Sequence, residues 1–281
     1  MEKAAERNNG RMNEKIFATH YGEIHYWIKC ADADSPWLIF LPGLTADHRL
    51  FDKQIDDLGR KHNCFTWDSP AHGLSRPFLL QFSLEDIANY LHDILEKESI
   101  RMPVLIGQSF GGYISQMYVE LFPDEVSGFI SIDSCSLQRK YYSNWELALL
   151  KHTKWMYLSI PWKLLIKWGA NGTATTEYGR HLMKQTMESY EKREYCELAD
   201  HGYRIFAEAV EANRSYELKC PTLLLCGEKD AAGSAKDYNR RWKEQDGYTL
   251  IWLEGAGHNS NTDVPEKVNR IIEEFVCSCK G

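Results

Sequence analysis

The chain has 281 residues, enough for a large hydrophobic core in one domain or in one domain with an insertion. Hydrophobic residues make up 43% and charged residues 26%, the balance of a globular protein, and a net charge of −7 offers no basic face for nucleic acid. No stretch approaches the roughly 18 successive apolar residues of a membrane span.

The opening "MEKAAERNNGRMNEK" is charged and polar and lacks the apolar segment of a secretory leader. It reads as a flexible lead-in of about a dozen residues, and a cytoplasmic location is expected. "IFATHYGEIHYWIKC" alternates around Gly22 and predicts an antiparallel hairpin. "PWLIFLPGL" is a continuous apolar run that ends in Pro42 and Gly43, so it predicts a buried strand. A second strand in "NCFTWDSPAHGLSRP" ends at Asp68. "SLEDIANYLHDILEKESI" opens on Ser83 with acids in its first turn, and its apolar residues from Leu84 to Leu95 recur at helical spacing. "MPVLIGQS" predicts a strand, "GGYISQMYVELFPDEV" a helix stopped before Pro123, and "SGFISIDS" another strand.

The alternation then stops. Residues 136–200 show no strand pattern, and both "WELALLKHTKWMYLSIPWKLLIKWG" and "TEYGRHLMKQTMESYEKREYCELAD" are helical in character. A helical insertion is expected there, with residues 1–135 and 201–281 forming the core. Trp145, Trp155, Trp162 and Trp168 fall in the first half of the insertion. They either line an apolar pocket or simply pack the insertion against the core. Beyond it come a strand in "CPTLLLCGEKD", a helix in "SAKDYNRRWKEQ", a strand in "YTLIWLEGAGH" and a helix in "VPEKVNRIIEEFVCS". Strands that alternate with helices and read as buried on both faces predict an α/β fold with a mostly parallel, doubly wound sheet. The hairpin adds antiparallel strands at one edge.

The eight cysteines, in a chain without a leader pattern, are expected to be mostly reduced and buried. Cys277 and Cys279 form a CxC without a second pair at ligand spacing, so no metal site is expected. "LEGAGH" lacks the third glycine and the ribose-binding acid of a dinucleotide site, and no Gly-Lys-Ser/Thr is present to cradle phosphate. No cofactor is expected.

Gly107-Gln108-Ser109-Phe110-Gly111 is a GxSxG between a strand and a helix. Such a turn holds its serine in a strained conformation with the hydroxyl exposed, and the helix N-terminus favours developing negative charge. A nucleophilic serine needs a base and an orienting acid. His258 lies in a loop of small residues after the last strand, whereas His152, His181 and His201 lie in or near the insertion. Asp230 ends the strand before that of His258, where open α/β sheets gather their sites. Asp133 also ends a strand and is the alternative acid, with Glu228 and Asp237 behind it. Two backbone N–H groups must face the developing oxyanion, and those of Phe110 and Leu44 are the candidates.

These segments together resemble the α/β-hydrolase superfamily over nearly the whole chain outside the insertion. "FLPGLTADHRLFD" is similar to its oxyanion loop, "DSPAHGLSRP" to its Asp-x-x-x-His-Gly-x-Ser turn (Asp68, His72, Gly73, Ser75), and "GQSFGG" to its nucleophile elbow. "CPTLLLCGEKD" and "GAGHNSNTDVPEKVNRIIEEF" resemble its acid and histidine segments. The resemblance implies Ser109 as nucleophile, Asp230 as acid, His258 as base, and Leu44 and Phe110 as oxyanion donors. His72 would be structural. Pro42 stands where many members have histidine, which leaves the following Leu44 amide in place. Members that open epoxides or attack alkyl halides carry aspartate at the elbow. Serine therefore implies acyl transfer to water from a small or medium substrate, with the insertion as a lid. Thioester, peptide or carbon–carbon bond hydrolysis, acyl transfer to another acceptor, perhydrolase chemistry, and a low-turnover ligand sensor are the other expectations the same residues carry.

Overall fold

The computed structural model describes residues 12–279. The expected flexible lead-in lies almost wholly outside them. Eight strands form one sheet: β1 (Asn13–Ala18), β2 (Glu23–Lys29), β3 (Trp37–Leu41), β4 (Asn63–Trp67), β5 (Val104–Gln108), β6 (Gly128–Ile132), β7 (Thr222–Gly227) and β8 (Thr249–Leu253). Their order is β1-β2-β4-β3-β5-β6-β7-β8. β1 pairs antiparallel with β2, and β2 with β4; every other pairing is parallel. This is the expected α/β class with the antiparallel hairpin at one edge.

Period-two alternation explains why the apolar runs are continuous. Leu38 and Phe40 of β3, Val104 and Ile106 of β5, and Leu223 and Leu225 of β7 face one core. Their neighbours Ile39, Leu105 and Leu224 face the other. Helices α1 (Asp52–Leu58) and α11 (Pro265–Ser278) cover the first core through Ile55, Leu58, Val268 and Ile272. A single turn, α10 (Ser260–Asp263), leads into α11. Helices α2 (Leu84–Lys97), α3 (Phe110–Leu121) and α9 (Ala235–Asp246) cover the second core. α2 starts where Ser83 and Asp86 form a reciprocal capping box.

Between β6 and β7 the longer elements are all helices: α4 (Asn144–Leu150), α5 (Lys154–Ser159), α6 (Trp162–Thr173), α7 (Glu177–Glu188) and α8 (Lys192–Glu211). Leu165, Ile166, Ala170, Met183, Met187 and Cys196 form a separate apolar cluster there. The expected boundary at residue 200 falls inside α8, whose Ile205, Phe206 and Val210 join the core under the sheet. Of the four tryptophans in this segment only Trp162 packs against the cluster; Trp145, Trp155 and Trp168 are exposed. Five of the eight cysteines are buried, Cys64 and Cys226 within strands.

Two helical stretches go beyond the elements expected from the sequence: the single turn α10, and the one that follows β3. A 3-10 turn at His48–Phe51 runs into α1, capped by the Asp47 carboxylate that accepts from the Arg49 N–H. Its signal in the chain is a capping aspartate followed by apolar residues at 50, 51, 55 and 58.

Candidate active site

β5 ends at Gln108 and α3 begins at Phe110, so Ser109 alone makes the turn. Its φ of 49° and ψ of −114° cost a residue with a side chain about 1–3 kcal/mol. The flanking glycines are required by crowding. A Cβ on Gly107 would stand 2.4 Å from the Gly111 backbone, and one on Gly111 would stand 1.9 Å from the Leu41 carbonyl oxygen. A Cβ on Gly43 would meet Gln108 Oε1 at 2.3 Å and Ser109 Cβ at 3.2 Å. The loop after β3 therefore lies directly against the serine. The Ser109 N–H donates to Ile132 O at 2.9 Å and ties the turn to β6.

Three sequence-distant side chains meet here. His258 Nε2 is 2.9 Å from Ser109 Oγ, and His258 Nδ1 is 3.0 Å from Asp230 Oδ2. Asp230 is buried, and its second oxygen accepts from the Ala232 N–H at 2.8 Å. These partners select the imidazole with its proton on Nδ1, which donates to Asp230 and leaves Nε2 to accept from the serine hydroxyl. Burial pulls the His258 pKa down. The Asp230 hydrogen bond and charge, aided by the Asp133 charge, outweigh burial and hold it above the ordinary imidazole value. Among the described residues, neither the Leu44 nor the Phe110 N–H has a protein acceptor.

Asp133, the alternative acid, does not bond to His258. It follows β6 with a φ of 49° and is buried. Its Oδ1 accepts from the Gly227 N–H at 2.7 Å, and its Oδ2 accepts from the Ser260 N–H at 3.0 Å and from the Ser260 hydroxyl. Burial, then the neighbouring Asp230 charge, push its pKa up to about 7. Glu228 and Asp237 are exposed, and Asp237 pairs with Arg240 at 2.6 Å. His201 packs edge-on against Phe82, while His152 and His181 are exposed. His72 is buried and donates from Nδ1 to Pro70 O at 2.9 Å. In its turn the Asp68 carboxylate accepts from the His48 and Leu74 N–H groups at 2.7 and 2.6 Å.

Two further side chains hold the His258 loop, and sequence reasoning misses both. Gln108 Nε2 donates to His258 O at 2.9 Å and to Asn259 Oδ1 at 3.2 Å. Asp263 accepts from the N–H groups of Gly257 at 2.8 Å, Thr175 at 2.9 Å and Thr176 at 2.9 Å. Its carboxylate thus joins the loop of His258 to the α6–α7 turn. The Asn259 N–H reinforces this by donating to Thr173 O at 2.7 Å.

A mostly parallel sheet that brings a strained serine, an imidazole and a carboxylate together at its strand ends is the architecture of a hydrolase. The family description "alpha/beta hydrolase fold" matches residues 36–263, and the chain belongs to that family. It is 22% identical to 3-oxoadipate enol-lactonase 1 of Acinetobacter baylyi, over 87% of this chain and 90% of that one. It is also 22% identical to epoxide hydrolase 1 of Caenorhabditis elegans, over 90% of this chain and 67% of that one. The fold is similar to that of a thermophilic esterase from Thermogutta terrifontis, with a TM-score of 0.77, 16% identity, and coverage of 96% and 99% of the two chains.

Two outcomes are expected. By NMR titration His258 ionises above the ordinary imidazole value of about 6.5, and Asp230→Asn lowers that pKa because burial is then poorly opposed; an unchanged pKa in the variant contradicts the assigned cause. Asp263→Ala strands three backbone donors and lowers stability to urea by about 2–4 kcal/mol; a loss below about 0.5 kcal/mol contradicts its fastening role.

Proposed function

We propose that the protein is a serine hydrolase that cleaves an ester or related acyl bond of a small to medium, partly apolar substrate. The hydrogen-bond chain Ser109–His258–Asp230 is the observation that carries this. In the proposed mechanism His258 takes the Ser109 proton at Nε2 as Oγ attacks the substrate carbonyl. Asp230 orients the ring and stabilises the imidazolium. The Leu44 and Phe110 N–H groups face the oxyanion, and the N-terminus of α3 adds its dipole. His258 then returns the proton to the leaving group, and activates the water that releases the acyl group from Ser109. Residues 136–200 act as the lid that keeps bulk water from the acyl-enzyme.

Similarity to an epoxide hydrolase does not favour epoxide opening here, because the elbow residue is a neutral hydroxyl rather than a carboxylate. The lactonase and esterase likenesses both concern acyl–oxygen bonds, as the proposed reaction does.

Ser109→Ala is expected to abolish turnover of p-nitrophenyl esters without lowering the melting temperature. Asp230→Asn is expected to cost about 10⁴ in kcat, the magnitude known for the equivalent change in a serine protease. A larger loss for Asp133→Asn than for Asp230→Asn would transfer the acid role to Asp133.

The pH profile supplies an independent check. His258 must be neutral to accept a proton, so its raised pKa places the ascending limb of kcat/KM above about pH 6.5. Where it is ionised, Asp133 favours the imidazolium, so Asp133→Asn moves the limb to lower pH. A shift to higher pH contradicts this electrostatic account.

A further inference from the structure

Ten large apolar side chains are exposed among the described residues, and five of them fall within residues 145–168: Trp145, Leu149, Trp155, Met156 and Trp168. All three exposed tryptophans belong to this short segment, at 68%, 77% and 55% exposure. Tryptophan is the side chain that settles at the boundary between water and lipid headgroups, because its ring is apolar and its N–H is polar.

The charge of the same segment is the reverse of the molecule's. In a chain of net charge −7, residues 144–175 carry Lys151, Lys154, Lys163 and Lys167 against one acid, Glu146. Lys151 pairs with Glu211, and Lys154 with Glu197 at 3.0 Å. Lys163 and Lys167 have no ion pair among the described residues. They line an open cleft of about 760 Å³ between α6 and α7 with Arg180 and Lys184, against Glu177 and Glu188. At 100° per residue the exposed side of α6 carries Lys163 and Lys167 along one edge and Trp168 along the other.

From these observations we infer that the outer surface of α4–α6 docks on an anionic lipid bilayer. The three tryptophans, Leu149 of α4 and Met156 of α5 enter the headgroup boundary, while the cleft lysines and Arg180 meet lipid phosphates. No helix among the described residues is long and apolar enough to cross a membrane, so the attachment is interfacial. The acidic remainder of the chain is repelled by the same surface, which turns the α4–α6 side towards the lipid. A second copy is a poorer occupant, because a two-fold contact would oppose one lysine-bearing face to another. The inference does not depend on the role of Ser109.

The full chain is mixed with vesicles of phosphatidylcholine alone or with about 30% phosphatidylglycerol, and binding is read by co-sedimentation and by tryptophan emission. Binding to the anionic vesicles with a blue shift is expected, weakened in about 0.5 M salt. The triple variant Trp145→Ser/Trp155→Ser/Trp168→Ser and the double variant Lys163→Glu/Lys167→Glu each lose about tenfold or more in binding. Both keep the melting temperature of the parent, and Ser109→Ala binds like the parent. Absence of binding to anionic vesicles overturns the proposal, as does equal binding to both vesicle types or binding unaffected by either variant. A parent dimer that the triple variant dissolves, with no lipid binding, assigns the face to self-association and overturns it equally.

Discussion

Everything at the site depends on the close approach of three backbone segments around Ser109. β5, the first turn of α3 and the loop after β3 are packed so tightly that Gly43, Gly107 and Gly111 have no room for a Cβ. That crowding holds Ser109 in a conformation a free chain would leave. It also sets the Leu44 loop beside the serine and keeps the Phe110 N–H at the start of a helix, where it has no intrahelical partner. The strain and the glycine entropy are offset by the two large cores on either face of the sheet.

The remaining constraint is to bring a loop some 150 residues further along the chain to the same place. This is done with buried polar side chains rather than apolar packing. Asp133 brackets the end of β7 and the residue two beyond His258, Gln108 holds the His258 carbonyl, and Asp263 fastens the loop from behind. Asp263 and Asn259 also bind the backbone at residues 173–176, so the histidine loop and the helical segment share their anchors. A movement of that segment would therefore be felt at His258, which gives the proposed lid a physical route to the proposed base.

Much of this is legible in the sequence because the signals are local. The continuous apolar runs mark β3, β5, β6 and β7, and the Ser83 capping box marks the start of α2. The three segments bearing Ser109, Asp230 and His258 stand out because each follows the end of a strand. What is not legible depends on distant partners. Gln108 is an unspecified position in the GxSxG pattern, and Asp263 lies in a polar run, so their contacts 150 and 88 residues away leave no local trace. In the sequence Asp133 differs from Asp230 only in which strand it ends, whereas the structure gives each its own hydrogen-bond partners. The exposure of three tryptophans is also hidden, since an aromatic residue on a short helix carries no mark of which side faces solvent.

The central claim is that Ser109 is a nucleophile activated by His258. Its most direct test is labelling of the native protein with a fluorophosphonate, followed by peptide mass spectrometry. The expected result is a single adduct on Ser109, formed faster as His258 loses its proton and greatly slowed in His258→Ala. Labelling at another residue, or a Ser109 adduct that forms equally well without His258, would contradict the account.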